Sequence, residues 1–141
     1  MLLIPRFVWD DVVSHAQEIY PEECCGALVG VVDYVERATR LANTSQTGRR
    51  RSYRIDPAEL LEATREARDR GMTILGIYHS HPDVEPCFSD QDLANACPWY
   101  RFLVLAVHAQ RVTAARCYQP AADLKSFEET AFEMEAPASA V

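Results

Sequence analysis

His79 and His81 stand one residue apart at the end of an apolar run, Met72-Thr73-Ile74-Leu75-Gly76-Ile77-Tyr78, and Pro82 follows directly. On an extended strand successive side chains alternate faces, so the two imidazoles point the same way. Asp92 comes eleven residues after His81, with Ser89 just ahead of it. Two imidazoles and one carboxylate, with a position left for water, are the donors a catalytic zinc site needs. Pro82 has no backbone donor and ends the strand, and strand ends that open into loops are where sites are built. Asp92 also has a reading without metal. Ser89 reads as a helix N-cap, and Asp90 and Asp92 would favour the positive end of that helix.

Other metal families use a His-x-His pair. His79-Ser80-His81-Pro82-Asp83 matches the start of the His-x-His-x-Asp-His pattern of metallo-β-lactamase-like hydrolases, but the next residue is Val84. That two-metal site also needs more histidines than remain here, His15 and His108. Amidohydrolase barrels need roughly 250 residues, and this chain has 141.

A second element lies upstream, Tyr20-Pro21-Glu22-Glu23-Cys24-Cys25-Gly26-Ala27-Leu28-Val29-Gly30. By itself Glu23 is a charge at the mouth of a strand. Together with His79, His81, Ser89 and Asp92, the segment closely resembles the JAMM metalloproteases, the catalytic (MPN+) branch of the MPN domains. That family pattern is a Glu before a small-residue, glycine-containing strand, then His-x-His-Pro, then Ser-x-x-Asp. Ten residues separate its second His from its Asp, and Pro82 to Gln91 fill that interval here. The resemblance runs over roughly residues 5 to 118, and the short form is similar to the stand-alone bacterial and archaeal members.

The resemblance implies a single α/β domain, residues 1–135, with a mixed, curled, cytidine-deaminase-like sheet flanked by helices. It implies that His79, His81 and Asp92 bind Zn2+, that Glu23 is the general base, and that Ser89 steadies the oxyanion. Glu22 would face the other way. The activity implied is hydrolysis of amide or isopeptide bonds, on the C-terminal tail of a ubiquitin-like sulfur-carrier protein. An extended Gly-Gly tail could add along a strand edge. The competing reading is a non-catalytic MPN scaffold that mediates assembly; scaffold members lack one or more ligands, and all are present here. Deaminase-like zinc enzymes ligate through Cys-x-x-Cys pairs, which this chain lacks.

Composition sets the remaining bounds. With 48% apolar and 25% charged residues, the chain is an ordinary globular one. A net charge of −7 argues against nucleic acid as the main partner. Arg49-Arg50-Arg51 reads as a solvated loop; as a patch it would suit an acidic protein partner. Five cysteines, an odd number without a CxxC pair, point to a reducing cytoplasm. Cys87 is either a small apolar filler or a stray thiolate near the site. Met1-Leu2-Leu3-Ile4 is too short for a signal-peptide core, and no run approaches the roughly 20 apolar residues of a membrane span.

These groups need elements to position them. Val8, Val12, Val13, Ala16 and Ile19 repeat at helical spacing, so residues 6–19 read as a helix that Pro21 ends. Cys24–Val32 and Tyr34–Ala42 read as two strands turning at Asp33. A polar loop follows, and Tyr53–Ile55 reads as a short strand. Asp56-Pro57 opens a second helix that Gly71 stops. Met72–Ser80 is the histidine strand and Ser89–Cys97 the helix of Asp92. Arg101–His108 and Val112–Tyr118 form a hairpin turning at Ala109-Gln110. Phe127–Glu135 is a last helix or strand, and residues 136–141 are expected to be a disordered tail. The site assembles if the Glu23 strand and the histidine strand are neighbours at one edge of the sheet. His15 and His108 read as helix-face and strand-end residues outside it.

Overall fold

The structure is a computed structural model that describes residues 1–135. The expected tail, 136–141, lies outside the described residues. The elements run β1 (Leu2–Pro5), α1 (Arg6–Ile19), β2 (Cys25–Val31), β3 (Tyr34–Leu41), α2 (Pro57–Asp69), β4 (Thr73–Pro82), α3 (Asp90–Ala94), β5 (Arg101–His108), β6 (Arg111–Pro120), β7 (Phe127–Thr130) and β8 (Phe132–Glu135). All eight strands form one mixed sheet in the order β7-β6-β5-β4-β2-β3-β1-β8. The β4–β5, β1–β3 and β1–β8 pairings are parallel.

The sheet is strongly curled. β7 and β8 are its two edges, yet only Ala131 separates them in the chain. Thr130 and Phe132 are two Cα steps apart, at most about 7 Å, so the two edges are drawn together. Helix α1 packs one face, burying Val8, Val12 and Ala16 against Leu28, Tyr78, Leu103 and Leu105. Helix α2 covers the other, with Ala63 and Ala67 against Ala27, Val29 and Ile77. Strands covered on both faces are apolar without alternation, and β5, Arg101-Phe-Leu-Val-Leu-Ala-Val-His108, has its middle six residues buried.

Local chemistry explains the boundaries that the sequence announced. Asp56 accepts the Ala58 N–H at 2.9 Å and Pro57 follows as the first helical residue. Gly71 takes φ +75° just past the helix, a conformation that costs glycine little. The β5–β6 turn places Ala109 and Gln110 at φ 49° and 68°.

Four expectations change. Tyr53–Ile55 joins no ladder; Tyr53 leaves the loop to bury its ring in the core beside α2. The Asp92 helix is shorter than Ser89–Cys97, closing at Asn95 after five residues. Phe127–Glu135 is two strands on opposite edges of the sheet. β1 had no signal of its own, being four residues long. β2 and β4 are indeed neighbours, but in the middle of the sheet rather than at an edge. Each is flanked by strands on both sides, so neither offers a free edge for strand addition.

Candidate metal centre

The antiparallel register sets Cys25 opposite His79 and Gly26 opposite Tyr78. Beyond that ladder the two strands remain stitched. The Ser80 N–H donates to the Cys24 carbonyl at 3.2 Å, and the Ser80 hydroxyl accepts the Cys24 N–H at 2.8 Å. Alternation along β4 sends Tyr78 to the α1 core and Ile77 to the α2 core. His79 and His81 share the α2 side, and His79 stacks on Tyr53 with ring centroids 4.3 Å apart.

Gly26 is required by this register. A Cβ there would lie 2.3 Å from the Tyr78 ring. That ring reaches over the glycine so that its hydroxyl shares a 2.7 Å hydrogen bond with His15 Nδ1. His15 is therefore a buried core histidine rather than a simple helix-face residue, and burial pushes its pKa down to about 4.

Asp92 arrives from the other direction. Ser89 caps α3, its hydroxyl accepting the Asp92 N–H at 3.0 Å, while the Ser89 N–H donates to Asp92 Oδ2 at 3.0 Å. This reciprocal box fixes the carboxylate. Oδ2 then lies 3.2 Å from His79 Nε2 and 3.2 Å from His81 Nε2, and the two nitrogens are 3.2 Å from each other. Zinc bonds of 2.0–2.1 Å at tetrahedral angles put ligand atoms roughly 3.4 Å apart. The three atoms form a triangle of that size.

The tautomers suit a cation as well. His81 Nδ1 lies 3.1 Å from the Glu85 carbonyl, which can only accept. Nδ1 therefore carries a proton, and neutral His81 turns its Nε2 lone pair to the triangle. Burial holds the His79 pKa below its ordinary value. Burial also works against a charge on His81, but Asp92 outweighs it and the His81 pKa is raised. Burial would raise Asp92 too, yet the two imidazoles hold its pKa well below the usual range.

Glu23 completes the cluster, with a carboxylate oxygen within 4.8 Å of both histidine donors. Two carboxylates thus compete to be the third ligand; Asp92, at 3.2 Å, is the closer. The Glu23 backbone is held on both sides: its N–H donates to the Arg49 carbonyl at 2.6 Å and its carbonyl accepts Asn43 Nδ2 at 3.0 Å. Its Oε1 is buried with no hydrogen-bond partner among the described residues. Burial pushes the carboxyl up to about 8, with His81 opposing and Asp92 adding. Glu22 points away to Arg49, at 3.0 Å.

All five residues singled out in the sequence therefore meet at one place. A cleft of about 530 Å³ opens over them, lined by Glu23, His81, Ser89 and Asp92 and by Arg50 and Arg51. Cys87 is exposed, not an apolar filler, and all five cysteines are free. Asn43, Tyr53 and Ser80 were not singled out as site residues in the sequence, because nothing about an Asn, a Tyr or a Ser at those positions marks such a role before the chain is folded.

Residues 5–118 match the family model described as prokaryotic homologs of the JAB domain. A desampylase of Haloferax volcanii is 33% identical over 102 residues, covering 67% of this chain and 73% of the relative. A probable TtuB-protein conjugate cleaving protease of Thermus thermophilus is 31% identical, covering 68% and 64%. A CysO-cysteine peptidase of Mycobacterium tuberculosis is 33% identical, covering 67% and 66%. In fold, the chain is similar to a JAB1/MPN domain protein of Archaeoglobus fulgidus, with TM-score 0.63, 18% identity, and 95% and 97% of the two chains covered.

Proposed function

The chain belongs to the JAMM metalloproteases, among the prokaryotic homologs of the JAB domain, and on that footing we propose that it is a zinc-dependent peptidase cutting the amide or isopeptide bond at the C-terminal tail of a ubiquitin-like sulfur-carrier protein. The triangle of His79 Nε2, His81 Nε2 and Asp92 Oδ2, 3.2 Å on every side, carries this reading. The names of the Thermus and Mycobacterium relatives, a probable TtuB-protein conjugate cleaving protease and a CysO-cysteine peptidase, support the substrate class.

His79, His81 and Asp92 would hold the ion. Bound there, zinc supplies a water whose pKa falls from about 15.7 to about 7 and a Lewis acid beside the carbonyl. Glu23 takes the proton of the attacking water on its carboxylate and hands it to the departing amine nitrogen. The carbonyl carbon gains the oxygen as its C–N bond breaks, leaving a free tail carboxyl and a free amine. Ser89 serves twice. Its oxygen lone pair accepts from Asp92 N–H, which leaves the O–H free to donate to the carbonyl oxygen as charge develops. Capping and oxyanion support therefore do not compete for the same atom.

The tail would lie in the cleft rather than along a sheet edge, since β2 and β4 are paired on both sides. No helix among the described residues is long and apolar enough to cross a membrane. Five free cysteines suit a reducing cytoplasm. Glu23→Gln should abolish hydrolysis of a Gly-Gly-tailed carrier while zinc content stays at the wild-type level. Surviving turnover would remove Glu23 from its role, and equal cleavage of unrelated peptides would remove the carrier tail.

A further inference from the structure

Two arginines in the cleft wall have no part in the mechanism above. Arg50 and Arg51 are exposed, line the same cleft as Glu23, His81, Ser89 and Asp92, and have no ion-pair partner among the described residues. Arg49 differs, being paired with Glu22 at 3.0 Å. Among the described residues, the one further acidic group lining this cleft besides Glu23 and Asp92 is Asp83, which already accepts the Tyr20 hydroxyl, at 2.9 Å from each of its oxygens.

The backbone that carries the arginines is held in place. Their turn closes through Arg51 N–H and Ser52 N–H, which donate to the Gly48 carbonyl at 3.2 and 3.1 Å. The preceding Arg49 carbonyl accepts the Glu23 N–H at 2.6 Å. Asn43 Nδ2 donates to the Glu23 and Ser52 carbonyls at 3.0 Å and lies 3.5 Å from the Arg49 carbonyl, so it bridges Glu23 to the residues on both sides of the pair. The segment bearing the two guanidinium groups is thus bonded directly to the backbone of the residue read as the base. In a chain of net charge −7, two unpaired guanidinium groups in a cleft wall are a local positive field, and their planar forks match a carboxylate.

We propose that Arg50 and Arg51 form a carboxylate subsite on the leaving side of the cut bond, receiving the free α-carboxylate of a single amino acid released from the tail. This rests on the tail-hydrolase reading above. A residue spans at most about 3.3–3.6 Å along the chain. When one residue lies beyond the cut bond, its carboxylate must therefore be bound by the walls of the same cleft as Glu23. The ε-nitrogen of a lysine conjugate carries no carboxylate at that distance. An acidic surface on a folded partner would be met outside the cleft. The arginines thus favour removal of a terminal residue over separation of two proteins.

Two peptides ending in Gly-Gly-Ala, one a free acid and one a carboxamide, test this. Hydrolysis is followed with the zinc-loaded protein, and binding is followed by calorimetry on Glu23→Gln protein, which needs no turnover. The free acid should be favoured roughly ten- to hundredfold in both assays. Arg50→Ala/Arg51→Ala should erase that preference, and Arg50→Lys/Arg51→Lys should restore part of it; circular dichroism establishes that both variants are folded. Equal treatment of acid and amide by the wild type overturns the subsite. So does a preference that survives the double alanine variant, or an equal loss for both peptides, which would mark a general contact. Hydrolysis of both peptides at one rate leaves the tail-hydrolase reading standing and removes the subsite. Selective binding of the acid without any hydrolysis does the reverse.

Discussion

Glu23 is buried where its charge is costly, and burial lifts its carboxyl to about 8. In the unfolded chain it titrates near 4.5. Between those values the folded, metal-free protein holds more protons than the unfolded chain. Its contribution to stability is therefore complete below about pH 4.5 and declines as pH rises through about 8. Glu23→Gln removes the titration. In the presence of chelator, urea unfolding should show the wild type losing stability from about pH 5 to about pH 8 relative to the variant, by a few kcal/mol. Parallel pH profiles for the two proteins would show that Glu23 is not buried as described. A nearby dication favours the ionised carboxylate, so loading zinc should flatten the difference. Ser89→Ala separates the two uses of that hydroxyl. We expect kcat to fall by about 10²–10³ while the lost cap costs about 1 kcal/mol of stability; a stability loss with unchanged kcat would confine Ser89 to capping.

At the scale of elements, the site depends on one register. Tyr78 lies across Gly26 and ties to His15, while its neighbours His79 and His81 face the opposite side. Gly26→Ala would press a methyl group into the Tyr78 ring. The ring would have to leave its bond to His15, at a cost of about 1–3 kcal/mol for the overpacking. Thermal unfolding should show the loss, and an unchanged midpoint would mean that the ring can move freely. Helix α3 illustrates the same economy: at five residues it is too short to be stable alone. The Ser89–Asp92 box that starts it is also what aims Asp92 Oδ2 at the histidines.

Across the whole molecule, what was legible follows from the kind of signal each part carries. α1 and α2 have helical periods, and α2 also has Asp56-Pro57 and Gly71 as its boundaries. β2, β4 and β5 are long apolar runs, as strands covered on both faces must be. The His79-x-His81 pair stood out because a metal needs such donors side by side, whereas the roles of Glu23, Ser89 and Asp92 were settled only through the resemblance to the JAMM pattern, which fixes residue types and spacing. β1, β7 and β8 were not legible, because four residues carry no period, and their partners are chosen only when the sheet curls. Tyr53 read as a strand residue because a buried aromatic in an extended loop has the same local signature. Arg50 and Arg51 read as solvated charges; the bonds from Asn43 and Glu23 that turn them into the cleft join segments far apart in sequence.

The central claim is that His79, His81 and Asp92 hold one zinc ion and that Glu23 stands beside it unbound. Elemental analysis of wild type, His81→Ala, Asp92→Ala and Glu23→Gln, each supplied with zinc and dialysed, tests this most directly. The account predicts about one zinc per chain in the wild type and in Glu23→Gln, and little or none in the other two. Zinc retained by Asp92→Ala but lost from Glu23→Gln would make Glu23 the third ligand, and an empty wild-type protein would contradict the metal centre itself.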